Sequence, residues 1–313
     1  MKHSMNFTNT SDDLDRFSGR EDLKRFLEDL QLDGLELMPI MGYDLSYLTP
    51  DLFSGIHLYC PTEWMDKDRE EVLAHYRKDL DFAKNMGAPY VVFHVTEVSM
   101  EESVNYTFRY NDEEVIEAAI GLINQLLDGQ EYDFYFLMEN LWWPGLTFLD
   151  RGLTKKLLDG IHYEKKGFML DTGHLMNTNQ DLKTPQEALD FINSLLDKNE
   201  DMIPYIHGMH LCQSLSGEYV RDFKKRPPFP KDDPDAWSEH VYMHIFHVDQ
   251  HQPFVAPGVD RLVARIAPDY VTYEYITGSR KEYAGKVGTV LSSRCPSPCP
   301  GTGGRTAGQK DRP

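Results

Sequence analysis

The chain has 313 residues, and its content of 41% hydrophobic and 12% aromatic residues predicts a folded domain with an ample apolar core. Its net charge of −19 disfavours a nucleic-acid partner, because proteins that bind the phosphate backbone usually present a basic surface, although a local basic groove or bound metal ions would offset that disadvantage. No apolar run approaches the roughly 20 residues of a membrane span and the N-terminus lacks the apolar segment of a signal peptide, so we expect a cytoplasmic protein without a membrane partner.

Strand-like and helix-like segments alternate along the chain. Short apolar runs predict strands at 4–8, 33–37, 54–58, 90–95, 133–139, 167–171, 205–211 and 270–275. Apolar residues spaced three to four apart predict outer helices at 20–30, 66–86, 112–127, 185–199 and 235–248. This alternation is typical of a parallel α/β architecture, and eight strands within residues 1–285 predict a single-domain (β/α)8 TIM barrel.

Two segments depart from the alternation. Residues 215–234 are rich in Lys, Arg, Pro and Asp, which predicts a long insertion over the barrel mouth. Residues 286–313 are rich in Gly, Pro and Ser without periodicity, which predicts a disordered tail. Because an eighth helix is expected after the last strand, such a tail would leave part of the barrel flank uncovered. The net charge of the whole chain is −19, and the tail contributes +4 to it. The predicted domain 1–285 therefore carries −23.

Nine residues that can bind metal lie at or near the ends of apolar runs: His57, His94, Glu139, Asp171, His174, His210, Asp249, His251 and Glu274. The C-terminal ends of parallel barrel strands form one face, so we expect these side chains to meet there. Any one of them is about as well explained as a loop anchor. Together they predict a divalent-metal site, because burying several carboxylates side by side without cations is unfavourable.

The order and spacing of these residues resemble the xylose isomerase-like TIM barrel superfamily. Its four-ligand metal site, found in sugar and sugar-phosphate isomerases and epimerases, is similar to the set Glu139, Asp171, His210 and Glu274. The endonuclease IV-like, family 2 abasic-site (AP) endonucleases use three zinc ions, and their fuller pattern resembles the additional residues His57, His94, His174, Asp249 and His251. The resemblance covers roughly residues 1–280, and neither subfamily fits fully. The loop after His57 has no cation to insert into DNA, and no arginine shortly follows His210.

The resemblance implies two catalytic hypotheses, with one to three ions of Zn, Mn, Mg or Co. In the first, which the acidic charge and the missing DNA-inserting loop favour, an isomerase or epimerase acts on a small sugar or sugar phosphate. Glu139 and Glu274 then form the acid/base pair. His174 contacts the substrate, and Trp142 lines one side of the substrate pocket. In the second, a multinuclear zinc phosphodiesterase uses all nine ligands on abasic DNA or a small phosphoester. A non-catalytic ligand-binding barrel is disfavoured, because all expected carboxylates are present.

Three further features have mainly structural interpretations. Glu36 ends a predicted strand, where anchoring a loop explains it at least as well as contacting substrate. Cys60 and Cys212 are interpreted as pocket lining, because no activating partner is evident. A histidine stripe at helical spacing is more typical of packing than of a second metal site: His240, His244, His247 and His251.

Overall fold

The computed structural model describes residues 1–40, 42–61 and 63–294. Its eight strands form a closed, parallel barrel in which every strand pairs with its neighbours in sequence and the first pairs with the last. They are β1 (Lys2–Thr8), β2 (Gly34–Met38), β3 (Phe53–His57), β4 (Tyr90–His94), β5 (Tyr135–Glu139), β6 (Lys166–Asp171), β7 (Ile206–His210) and β8 (Tyr270–Tyr273). All eight predicted strands are confirmed, and the fold is a TIM barrel.

Helices surround the barrel and also cover its mouth. They are α1 (Ser11–Leu14), α2 (Arg20–Asp29), α3 (Arg69–Met86), α4 (Met100–Asn105), α5 (Asp112–Leu127), α6 (Arg151–Gly160), α7 (Thr172–Asn177), α8 (Pro185–Lys198), α9 (Gly217–Phe223), α10 (Pro234–Val248), α11 (Val259–Ile266) and α12 (Arg280–Arg294). Capping boxes begin α4, α5 and α8, each pairing a polar N-cap side chain with a glutamate three residues later. None of the helices in the described ranges is long and apolar enough to cross a membrane.

The helix α10 lies elsewhere than its sequence predicts. Residues 235–248 are helical, as expected, but α10 packs against α4 and α9, which follow β4 and β7 on the mouth side of the barrel. The place in the outer ring is taken by α11, which contacts α8. Apolar periodicity predicts that a helix has a buried face, but it does not identify the surface that the face contacts. The predicted insertion at 215–234 is confirmed as a mouth segment and contains α9.

The prediction that irregular chain follows residue 285 is wrong for residues 286–294. The helix α12 continues to Arg294, and the side chains of Tyr283, Val287 and Val290 are at most 1% exposed. Gly285 and Gly288 weaken the local helix signal, and burial against the barrel compensates for that weakness. The remainder of the predicted tail, residues 295–313, lies outside the described residues.

The barrel interior supports its mouth through a layer of large side chains. Tyr90, Val92, Leu137 and Met169 pack together inside the barrel. Gly55 leaves the space that the Tyr90 ring fills, because a Cβ at Gly55 would lie 2.3 Å from that ring. The Tyr90 hydroxyl then donates a hydrogen bond to Glu36 Oε2 over 2.6 Å. This layer packs directly beneath the side chains at the strand ends and supports them.

Candidate metal centre

The carboxyl ends of the strands bring the nine predicted side chains to one face of the barrel. His57, His94, Glu139, Asp171 and His210 are the last residues of β3 to β7. Glu274 follows β8, His174 lies in the first turn of α7, and Asp249 and His251 follow α10. The strand register sets His94 beside Glu139 and Asp171 beside His210. Within this cluster, three sets of side chains offer donor atoms that all lie within 4.8 Å of one another.

The first set, called group A, consists of Glu139, Asp171, His210 and Glu274. His210 Nδ1 lies 3.0 Å from Glu139 Oε1, 3.6 Å from Asp171 Oδ2 and 3.0 Å from Glu274 Oε2. One imidazole nitrogen therefore faces three carboxylates. This arrangement suits a divalent cation, since nitrogen and carboxylate oxygen are both common zinc ligands.

The second set, called group B, consists of His57, His94 and Glu139. The Nε2 atoms of both histidines lie 3.1 Å from Glu139 Oε2. Glu139 belongs to groups A and B at once, and it presents Oε1 to one and Oε2 to the other. Each group would therefore receive one oxygen of the same carboxylate.

The third set, called group C, consists of His174, Asp249 and His251. Asp249 Oδ2 lies 3.1 Å from His174 Nε2 and 3.4 Å from His251 Nε2. The loop that carries Asp249 is held in place by Ser214, whose hydroxyl is 3.1 Å from Asp249 Oδ1. Group C adjoins group A, because His174 Nδ1 is 3.3 Å from Glu139 Oε1.

Hydrogen bonds outside the cluster orient the imidazole rings. The Nδ1 atoms of His57, His174 and His251 lie 2.9 to 3.1 Å from backbone carbonyl oxygens, which accept from Nδ1–H in the tautomer that leaves Nε2 free. Each free Nε2 faces a carboxylate of its own group. Metal-binding histidines commonly show this pattern, since an outer acceptor fixes both tautomer and ring orientation.

Glu36 contacts a candidate metal ligand, which its interpretation as a loop anchor did not predict. It lies within β2, is 2% exposed, and its Oε1 accepts a hydrogen bond from His210 Nε2 over 2.8 Å. The hydroxyls of Tyr90 and Thr272 donate to its Oε2. Glu36, His57 and His210 are also close enough to hold an ion. We treat Glu36 as an outer partner of His210, because these three hydrogen bonds already satisfy its carboxylate.

The charges of the cluster shift its pKa values strongly. Burial opposes ionisation, but the charge of His210 holds the pKa values of Glu139 and Glu274 well below their usual range. Burial likewise opposes protonation of His251, yet Asp249 and Glu274 raise its pKa to about 9. Protons on His174, His210 and His251 thus offset most of the charge of the buried carboxylates in the metal-free protein. A bound metal would replace them, since it requires neutral histidine.

The geometry of the three groups fits divalent metal ions. Ligand atoms bound about 2.0–2.2 Å from a tetrahedral zinc ion lie roughly 3.4 Å from each other. The contacts quoted within groups A, B and C span 3.0 to 3.6 Å. Although Glu274 Oε2 lies 3.0 Å from His210 Nδ1, it is buried and forms no hydrogen bond among the described residues. A cation in group A would satisfy that oxygen.

A small pocket of about 160 Å³ opens beside the three groups. Its lining includes His94, His174, Asp249 and the tryptophan pair Trp142 and Trp143. The ring centroid of Trp142 lies 5.1 Å from that of His174, so the two residues predicted to contact substrate are neighbours. Trp143 Nε1 is buried and has no acceptor in the described part of the chain.

The remaining sequence features lie outside the three groups. Cys60 lines the small pocket, and Cys212 is buried with its thiol 3.5 Å from Asp171 Oδ2. His240, His244 and His247 belong to no metal-ligating set among the described residues, and His251 lies beyond the end of α10. Burial lowers the pKa of His244 to about 4, and the hydroxyls of Tyr106 and Tyr219 each lie 3.0 Å from one of its ring nitrogens. His244 therefore packs between the helices that cover the barrel mouth.

Comparison with known proteins adds an independent line of support for the fold. A family model, AP endonuclease 2 or xylose isomerase-like TIM barrel, matches residues 4–255. Endonuclease IV from Thermus thermophilus is 13% identical with a TM-score of 0.55, and the match covers 93% of this chain and 98% of that one. The probable 3-DHS dehydratase AsbF from Bacillus anthracis is 13% identical with a TM-score of 0.54, covering 94% and 100%. A D-tagatose 3-epimerase-like protein is 12% identical with a TM-score of 0.54, covering 94% and 97%. The search of curated proteins found no match.

Proposed function

This chain belongs to the family of xylose isomerase-like TIM barrels, and we propose that within it the protein is a multinuclear metal-dependent hydrolase of a small phosphoester. The observation that carries the proposal is the division of nine side chains into three adjoining groups that share or contact Glu139. A sugar isomerase or epimerase of this family needs group A. Groups B and C add His57, His94, His174, Asp249 and His251, which a single-ion mechanism leaves without a role.

Charge links the number of ions to the class of substrate. The four carboxylates of groups A, B and C carry −4, so three divalent ions leave the centre at +2, and still at +1 if Glu36 is counted. With a single ion in group A, His174 and His251 would keep their protons and leave the centre near neutral. A positive centre attracts a phosphate, whereas a neutral centre suits an uncharged sugar. The proposed hydrolase can therefore act on an anion although the whole chain is acidic.

Each residue of the site would have a distinct role in phosphoester hydrolysis. Bound ions would supply a water of lowered pKa and would neutralise the phosphate oxygens. Glu139 would fix the position of group A relative to group B, because one of its oxygens faces each group. His94, which is the most exposed of the five histidines in these groups, faces the pocket where the substrate enters. Trp142 and Trp143 would exclude bulk water and limit the size of the substrate.

The volume of the pocket supports a small substrate. About 160 Å³ is below the range of roughly 300–1,000 Å³ that is usual for drug-sized ligands. The acidic surface likewise disfavours a DNA duplex. We therefore place a small phosphodiester or phosphomonoester ahead of abasic DNA.

A sugar isomerase or epimerase is the second candidate, and group A favours it. Those four side chains would form a complete site without the other two groups. In that mechanism Glu139 and Glu274 would serve as the acid/base pair. The two candidates differ in whether groups B and C are needed.

The experiment that separates them is activity of the metal-loaded protein toward bis(p-nitrophenyl) phosphate, an abasic-site duplex and a panel of sugars. His94→Ala removes a ligand of group B and Asp249→Asn one of group C, while the exposed His162→Ala and Asp190→Asn are matched controls. Loss of even an outer partner of a metal ligand commonly costs about 10–100-fold, so each ligand variant should lower hydrolysis by at least about 100-fold. Sugar turnover that survives both ligand variants, with no hydrolysis by the unmodified protein, would replace the proposal with the isomerase.

A further inference from the structure

A second cavity, of about 750 Å³, lies between α4, α10 and the chain that joins α9 to α10. It contains none of the nine candidate metal ligands, so its role does not depend on the proposed hydrolase. The chain that borders it is unusually basic. Residues 221–231 hold five cations and one carboxylate, a local charge of +4 in a protein of −19.

Flat rings line one side of this cavity. The rings of Phe229 and His240 have centroids 4.1 Å apart and planes within 9° of each other. Trp237 and Phe223 lie 6.1 and 5.8 Å from the same histidine, with interplanar angles of 28° and 25°. Burial and the nearby Arg226 lower the pKa of His240, which favours the neutral ring. Phe229 and His240 form a face-to-face stack, and Trp237 and Phe223 flank it at small interplanar angles. Nucleobases bind on aromatic surfaces of this type.

Two cations at the cavity lie close to aromatic rings. Lys224 lies over the ring of Tyr106 at 3.9 Å, and Arg226 lies 5.8 Å from the rings of Tyr219 and Phe223. Within residues 1–40, 42–61 and 63–294, neither of them forms a salt bridge. Lys231 is different, because it pairs with Glu101 at 2.7 Å. The two unpaired cations are therefore available to an anion.

The cavity is connected to the metal centre by shared walls. Lys224 also lines an intermediate cavity of about 350 Å³, whose other residues include Trp142 and Trp143. Those two tryptophans line the small pocket beside groups A, B and C. A ligand held in the basic cavity thus lies along the same face of the barrel as the metal centre.

We infer that this cavity binds a nucleoside phosphate, with the base against the rings of Phe229, His240 and Trp237 and the phosphate between Lys224 and Arg226. The same chemistry occurs in a free mononucleotide and at the end of a single strand. Neither the rings alone nor the cations alone account for the site. A ribose phosphate would contact the cations and leave the aromatic side of the cavity without a ligand, and a nucleoside would leave the two cations without an anion.

The test is calorimetric titration of the full chain with adenosine 5′-monophosphate, ribose 5-phosphate, adenosine and 5′-phosphorylated hexathymidylate. Lys224→Ala/Arg226→Ala removes the unpaired cations. The matched control Arg221→Ala/Lys225→Ala removes two cations from the same segment that do not line the cavity. Base stacking and phosphate contacts each predict an effect of about 10-fold or more.

We expect adenosine 5′-monophosphate to bind at least about 10-fold more tightly than ribose 5-phosphate or adenosine. Its affinity should fall by about 10-fold or more in Lys224→Ala/Arg226→Ala and by less than about 2-fold in the control variant. The same dependence seen for hexathymidylate alone would support the site and identify a strand end as its ligand. Absence of binding by both nucleotides would overturn the inference. So would equal losses in the two double variants, or equal affinity for adenosine 5′-monophosphate and ribose 5-phosphate.

Discussion

His210 is the most constrained single residue of the candidate metal centre, because carboxylates contact both of its ring nitrogens. Nδ1 faces the carboxylates of group A, and Nε2 donates to Glu36. Glu36 is itself held by Tyr90 and Thr272. The ring can therefore neither rotate nor change tautomer without breaking a buried hydrogen bond.

The first prediction concerns Glu36. Glu36→Ala should weaken metal binding by group A about 10–100-fold, because the outer acceptor of a ligating histidine is lost. Competition with a chelating dye measures this affinity. Glu36→Gln keeps an oxygen that accepts from Nε2–H and should restore most of it, while Tyr90→Phe should change it little. Unchanged affinity in Glu36→Ala would contradict the role given to this residue.

The second prediction concerns Glu97, a buried glutamate outside the three groups. Burial, with the nearby charges of Asp66, Glu102 and Glu63, raises its pKa to about 7. Its folded-state pKa lies above the unfolded value, so the protonated form stabilises the fold at low pH. That stabilisation is lost as pH rises from about 4.5 to 7.

Glu97→Gln should therefore raise the free energy of unfolding at pH 8 by up to about 3 kcal/mol and leave it unchanged near pH 4. The amide oxygen can still accept the hydrogen bond from the Met65 backbone N–H. Urea unfolding at the two pH values measures the difference. A benefit that is equal at both pH values, or present only at pH 4, would show that the ionisation of Glu97 is not its cause.

Single residues also mark the limit of what the sequence could predict about the site. The nine ligand candidates were recognisable because each ends or follows an apolar run, and the barrel brings such positions together. Glu36 also ends a predicted strand, but that position did not distinguish it from a loop anchor, and Trp143 carried no signal of its own. Their roles depend on contacts across the barrel, with His210 and with the pocket, which no spacing along the chain encodes.

At the level of elements, strands were predictable and the placement of helices was not. The eight strands are short apolar runs whose burial on both faces leaves a clear pattern. The helix α10 has the periodicity of an outer helix, yet it packs on α4 and α9 at the mouth. The helix α12 was missed because its glycines hide its apolar face. In both cases tertiary contacts decide what the local pattern leaves open.

The third prediction concerns α12. A chain that ends at residue 285 loses the buried Val287 and Val290, whereas a chain that ends at residue 294 keeps them. Because full burial of an aliphatic side chain contributes about 1.5–3 kcal/mol, the shorter chain should be less stable by about 3 kcal/mol or more. Urea unfolding of the two truncated chains makes the comparison. Equal stability would mean that the domain ends near residue 285, as the composition alone predicts.

For the whole molecule, charge and metal content are coupled. The chain is acidic overall, and its strand ends add four buried carboxylates within one cluster. Protonated His174, His210 and His251 offset most of that charge in the metal-free protein, and bound divalent ions would replace their protons. Metal binding should therefore release protons, and apparent affinity should fall as pH drops below the raised histidine pKa values, of which that of His251 is about 9.

The central claim is that three ions occupy groups A, B and C, and elemental analysis of the protein purified without added metal tests it most directly. We predict about three divalent ions per chain, and about two in the double variant His57→Ala/His94→Ala, because only group B loses its histidines. One exchangeable ion per chain, with the same content in the double variant, would contradict the claim and leave group A as a single-ion site.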